Sequence, residues 1–183
     1  MDNEIKVVIG SWGSYNECNE RSLGSKWLTL NDFESYEEIE EELKKEGFEL
    51  DGIDEELFIQ DIEGISADDI NWDYMHPETL FNTLYEAGIF KYEYMYKEME
   101  AFLEVRSWKE FVELVESKST RWDDDINLFE EMSWADYGEE YYRSCYGDVP
   151  NGLDNFIDWE GYGKYIGSDY AEEYSNGIIE IVR

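Results

Sequence analysis

The sequence predicts an α+β fold in three parts, and three observations predict it. Two short β-prone runs bracket a polar stretch and are followed by a helix and a third strand. Helical apolar stripes joined by short loops fill the middle. A last section combines a helical stretch with a closing strand. The corresponding divisions are 1–64, a β-β-α-β unit; 65–106, a central helical part; and 107–183, a C-terminal α+β part.

In chain order, Ile5 to Ile9 and Lys26 to Leu30 read as paired strands, and the Gly/Asn/Ser-rich stretch from Gly13 to Gly24 reads as the long loop between them. Ser35 with Glu38 has the spacing of a capping box, Gly47 marks a stop, and Tyr36, Ile39 and Leu43 share one face of the helix between. Leu57 to Ile62 alternates as a third strand. Pro77 suits a first helical position, followed by the stripe Leu80, Phe81, Leu84 and Tyr85 up to Gly88. Tyr92, Met95, Tyr96, Met99, Phe102 and Leu103 follow the i, i+3, i+4, i+7 template. Ser107 with Glu110 is a second capping box, opening a helix that buries Trp108, Phe111, Val112 and Val115. Ser133 to Cys145 reads as helical, Pro150 as a break, and Ile178 to Val182 as a closing strand. Asn155 to Ile166 is aromatic-rich.

The charge balance sets the function classes. Against 47 Asp and Glu stand 14 Lys and Arg, a net charge of −33 over 183 residues, yet 17% of the chain is aromatic. Such aromatic content goes with a folded chain, not an acidic disordered tail. The fold therefore forms against its own repulsion, and the charge points to a partner more than to stability. Nucleic acid is excluded as that partner, because its recognition starts from Lys and Arg on phosphates. An anionic membrane surface would repel the chain, and the longest aliphatic run, Val7-Val8-Ile9, spans nothing. The start lacks the pattern of an export signal, and Cys18 and Cys145 form no disulfide framework, so a reducing cytoplasm is the expected location.

Catalytic and metal chemistry find little to stand on. The one histidine, His76, precedes Pro77 at a helix start and has no nucleophile beside it in sequence. Asp123-x-Asp125-x-Asn127 begins like a calcium loop, but Leu128 stands at the glycine position and Trp134 at the final glutamate. Gly161-x-Gly163 is followed by glycine only at Gly167, with no aliphatic strand before it. With 47 acids some carboxylate pair at glycosidase spacing is inevitable, so such a pair carries no weight. No enzyme activity and no cofactor are expected.

The acidic runs themselves are the signal. Any one run can be a solvated helix face, but they recur in all three parts: Glu37 and Glu38, Glu41 and Glu42, Asp68 and Asp69, Glu98 and Glu104, Asp123 to Asp125, Glu130 and Glu131, Glu139 and Glu140. Duplex DNA carries one charge per roughly 1.7 Å of axis, so the net charge corresponds to about 16 base pairs, roughly 55 Å. The expected role is imitation of a polyanion, with these carboxylates standing for phosphates. Salt adaptation of a protein with an unrelated task is the alternative reading of the same acidity.

Specific motifs carry a family resemblance. Tyr15-Asn16, Leu23-Gly24-x-x-Trp27-Leu28-Thr29-Leu30 and Ile59-Gln60-Asp61-Ile62-Glu63 open the chain. Val149-Pro150, Leu153 to Glu160, Tyr162-Gly163-Lys164 and Asn176-Gly177-Ile178-Ile179-Glu180-Ile181-Val182 close it. In order and spacing the chain resembles the ArdA-type antirestriction proteins, acidic DNA mimics carried by mobile elements; it departs from them at Gln60 and from Trp134 to Gly147. The resemblance implies an elongated, curved three-part monomer that dimerises to imitate bent B-form DNA. It implies stoichiometric blocking of the DNA-binding groove of type I restriction-modification enzymes, with Trp108 and Phe111 as candidates for the dimer contact. A CRISPR nuclease, a nucleoid protein or a repressor is the alternative class of target.

Overall fold

A computed structural model describes residues 4–67, 70–117, 121–150 and 152–182. Within them the chain is α+β, with two three-stranded antiparallel sheets and helices between their strands and between the two sheets. The first sheet has the order β2-β1-β3, from β1 (Lys6–Ser11), β2 (Leu28–Thr29) and β3 (Leu57–Glu63). Between β1 and β2 runs α1 (Trp12–Glu17) and a 3-10 turn at Glu20–Leu23, where the sequence predicted a loop. The register between β1 and β3 shifts after Val8, which pairs with Asp61 while Ile9 pairs with Ile59. Gln60 is the extra residue of this bulge. Before it Leu57, Phe58 and Ile59 are all buried, because both faces of the strand are covered there. Ile59 faces the main core, whereas Phe58 is covered by Trp12, stacked on it at 4.3 Å between ring centroids.

Helix α2 (Tyr36–Lys45) buries Tyr36, Ile39 and Leu43, the face expected from their spacing. Its start differs in detail. Glu38 accepts from the backbone N–H of Glu34 at 2.8 Å instead of closing a box with Ser35. Gly47, two residues beyond, takes φ 92°, a left-handed conformation that suits glycine after a helix.

The central helices are α3 (Pro77–Glu86), α4 (Glu93–Val105) and α5 (Trp108–Glu116). Pro77 begins α3, and Ser107 and Glu110 form the expected reciprocal capping box of α5. Met95, Tyr96, Met99, Phe102 and Leu103 are buried along α4, while Tyr85 of α3 and Tyr92 remain exposed.

After a 3-10 turn at Trp122–Asp125 come β4 (Ile126–Glu130), α6 (Trp134–Tyr146), α7 (Trp159–Ile166), β5 (Ala171–Tyr174) and β6 (Gly177–Ile181). The second sheet has the order β4-β6-β5, so the closing strand is its middle strand. Helices α6 and α7 cross with backbones in near contact. A Cβ on Gly138 would sit 2.5 Å from the Trp159 carbonyl oxygen, and one on Gly163 would collide with that of Trp134.

One cluster of buried side chains runs from Ile5 of the first sheet through α2 to α5 and on to Ile179 and Ile181 of the second. The expected divisions at 64/65 and 106/107 thus separate elements that share a core. A smaller cluster of Tyr137, Ala171 and Ile178, with Phe129 and Trp134 against it, lies under α6.

Candidate functional site

The acids expected to imitate phosphates fall into three groups by what surrounds them. Those of α2 are the most open. Glu37, Glu38 and Glu41 are exposed, and among the described residues none makes an ion pair, because the helix's lysines serve other acids: Lys44 reaches Glu40 at 3.7 Å and Lys45 reaches Glu42 at 2.9 Å. Two glutamates in the first turn and two lysines in the last also complement the helix dipole. The Glu37 carboxyl is held below the usual range by its own backbone N–H and by the Ser35 hydroxyl, so it is ionised at neutral pH.

A second group lines a groove of about 810 Å³ between α4, β4 and the turn joining β5 to β6. Glu104, Glu130 and Glu131 meet Glu93, Glu100 and Lys97 there. Lys97 pairs with Glu130 at 3.1 Å, and Glu104 is anchored by Ser175, whose N–H and hydroxyl donate at 2.6 and 2.7 Å. Glu140 is exposed on α6, and Glu139 of the same helix accepts from Arg143 at 2.7 Å. Asp124 and Asp125 are exposed, the former accepting the Arg121 backbone N–H at 3.2 Å. Asp68 and Asp69 lie outside the described residues.

The third group departs from expectation. Asp123 is only 8% exposed and is bound by the Arg121 guanidinium, whose Nε donates to it at 3.0 Å. Its charge is neutralised inside the fold and is not presented to a partner. Glu98 is half-buried, with one carboxylate oxygen shut from solvent and without a hydrogen bond. Burial, with the nearby Asp123 charge added and Arg121 only partly offsetting, pushes its pKa up to about 7.

Trp108 and Phe111 are likewise committed elsewhere. Phe111 is fully buried and Trp108 is 5% exposed. Their rings pack on each other at 5.5 Å, on Trp72 and on Trp122, closing the core between α4, α5 and the strap before β4. The apolar area of these two expected dimer-contact residues is covered by the chain itself. The widely exposed rings of the C-terminal part are instead Tyr146, Phe156 and Tyr165.

His76 caps α3, its Nδ1 accepting from the Glu78 N–H at 3.3 Å. Among the described residues no group of three or more His, Cys, Asp or Glu is placed to hold a metal ion. What the surface offers is charge: open glutamates on α2, an acid-lined groove and acids on α6.

A family model described as antirestriction protein (ArdA) matches residues 7–180, nearly the whole length. The chain belongs to the ArdA antirestriction family. Comparison with curated proteins gives no match. Proteins of the ArdA family are inhibitors directed at restriction-modification enzymes. No helix among the described residues is long and apolar enough to cross a membrane.

One charged network of this ArdA protein has no mark in its local sequence. Asp54 is fully buried and accepts from the Ser14 hydroxyl, from Arg21 Nε at 2.9 Å and from the Glu49 N–H at 2.8 Å. It ties α1 and the following 3-10 turn to the loop before β3. In sequence Asp54 stands among Asp51, Glu55 and Glu56 and looks like surface, and only the fold shows that three donors converge on it.

Proposed function

We propose that this ArdA protein is a mimic of bent B-form DNA that occupies the DNA-binding groove of type I restriction-modification enzymes. Occupancy blocks restriction and modification by stoichiometric competition. The observation that carries the reading is the uncompensated acidity of α2: Glu37, Glu38 and Glu41 stand exposed while the neighbouring lysines are tied to Glu40 and Glu42. Carboxylates so placed can meet the Lys and Arg that a DNA-binding groove keeps for phosphates, and contact would release counterions from both surfaces. A net charge of −33 suffices for about 16 base pairs. The action is that of a cytoplasmic protein working as a homodimer, the exposed Tyr146, Phe156 and Tyr165 being the better candidates for the contact between copies.

The test is displacement. Purified protein titrated into a type I methyltransferase bound to labelled duplex should release the DNA near one equivalent of inhibitor at moderate salt. Retention of the DNA even at low salt would sink the proposal. Recovery of only a nucleoid protein, a repressor or a CRISPR nuclease from host lysate would redirect it to another basic target.

A further inference from the structure

Residues 121–123 form a strap that joins three helices to the second sheet. Trp122 donates its indole N–H to the Ala87 carbonyl at the end of α3, at 2.7 Å, and its ring meets Phe111 of α5 edge-on at 5.2 Å. Arg121 bonds the hydroxyl of Tyr94 on α4 with its guanidinium, which lies 5.9 Å from the centre of that ring. The same guanidinium binds Asp123 through both Nε and Nη2. Glu98 lies one turn along α4 from Tyr94, on the same helix face, and one of its carboxylate oxygens is buried and without a hydrogen bond.

The local charges do not balance when every group is ionised. Asp123 and Arg121 of the strap act on the charge of Glu98 in opposite senses. Arg121 is already engaged by Asp123, so an ionised Glu98 adds a second negative charge that has neither water nor a donor to solvate its inner oxygen. A proton on Glu98 removes that charge at the cost of nothing else in the cluster.

We propose that Glu98 and the Arg121–Asp123 pair form a proton-dependent clasp, closed when Glu98 is a neutral acid and loosened when it ionises. The opening would be felt where the strap is fastened, at Ala87, Tyr94 and Phe111, and would free the start of β4 from the central helices. Because the folded-state pKa of Glu98 is raised to about 7, above the value near 4.3 of an unfolded glutamate, its contribution is fully present below about pH 4 and is lost as pH rises through 7. The device operates whatever enzyme the acidic surface engages.

The experiment is amide hydrogen exchange on the full-length protein, wild type and Glu98→Gln, read at 121–126 between pH 6 and 8 and corrected for intrinsic rates. Titration of a single group with a pKa near 7 over that span should lower wild-type protection about tenfold, while Glu98→Gln, neutral throughout, should hold level. Wild-type protection that stays level, or an equal loss in both proteins, would overturn the proposal. Should the variant fail to fold, the carboxyl carbon resonance of Glu98 in the wild type decides: titration near 7 in step with shifts of the Trp122 indole N–H supports the clasp, and titration in the ordinary glutamate range refutes it.

Discussion

Arg21 Nε lies 2.9 Å from Oδ2 of Asp54, a carboxylate with no solvent exposure of its own. Burial pushes the Asp54 pKa upward, but the hydroxyl of Ser14, the Glu49 N–H, Ser11 and Arg21 together outweigh it and hold the group below the usual aspartate range. The contact closes α1 and the turn after it onto the first sheet, so a stretch rich in small polar residues acquires one conformation.

Removing that acceptor should be costly. Asp54→Ala leaves the Ser14 hydroxyl and the Glu49 N–H without their partner, an expected loss of about 1–3 kcal/mol of unfolding free energy in urea melts. A depressed carboxyl pKa stabilises above the unfolded value near 3.9 and ceases to do so as pH falls through the folded one. The acid limb of the stability curve should therefore be shallower in Asp54→Ala than in the wild type; identical limbs would show that other carboxylates govern acid unfolding.

Phe111 gives a test of core against interface. Phe111→Ala removes a fully buried ring at the junction of α4, α5 and the strap and should destabilise the fold by about 3–5 kcal/mol. Sedimentation at a temperature where the variant is folded should show the oligomeric state of the wild type. A shift to monomer with little change in melting temperature would return Phe111 to the surface.

The crossing of α6 and α7 depends on having no side chain at its centre. Gly163→Ala places a Cβ against the Trp134 carbonyl and the Gly138 N–H, both backbone groups that cannot rotate away. Helix propensity alone would favour alanine by about 1 kcal/mol, so a fall in melting temperature shows that the close approach outweighs it. A rise would mean that the two helices can part without loss.

Repulsion among the acids should make stability depend on salt. The Debye length falls from about 30 Å at 0.01 M to about 10 Å at 0.1 M, which screens the exposed glutamates of α2 and of the α4 groove from one another. Melting temperature is expected to rise over that range while displacement of DNA from a target enzyme weakens. A melt indifferent to salt would show that pairs such as Lys97 with Glu130 already compensate the local field.

The sequence made the long amphipathic elements legible and hid the short ones. Helices α2, α4 and α5 each bury the face that their apolar spacing marked, because a stripe of several turns has one favourable way to meet a core. Helix α1 carries no such stripe: it has six residues, and what holds it is distant in sequence, Phe58 against Trp12 and Asp54 against Ser14. Strand β5, Ala-Glu-Glu-Tyr, has the composition of a solvated turn and is a strand only because β6 pairs with it. Helix α7 contains two glycines that argue against a helix locally, and one of them, Gly163, makes room for α6 in the fold. The acidic surface was legible as a set. Which members are withdrawn from it was not, since Asp123 and Glu98 differ from their neighbours in the shelter that the strap provides.

The strand order of the second sheet bears on how the polypeptide can acquire its shape during synthesis. Strands β4 and β5 do not pair with each other; both hydrogen-bond to β6, which follows them in the chain. Until β6 emerges from the ribosome, β4 exposes an unpaired edge, and the core reaching Ile126 lacks Ile179 and Ile181. This sheet must therefore assemble after its last strand is made, and a nascent chain stalled before Gly177 would present open backbone to chaperones and proteases.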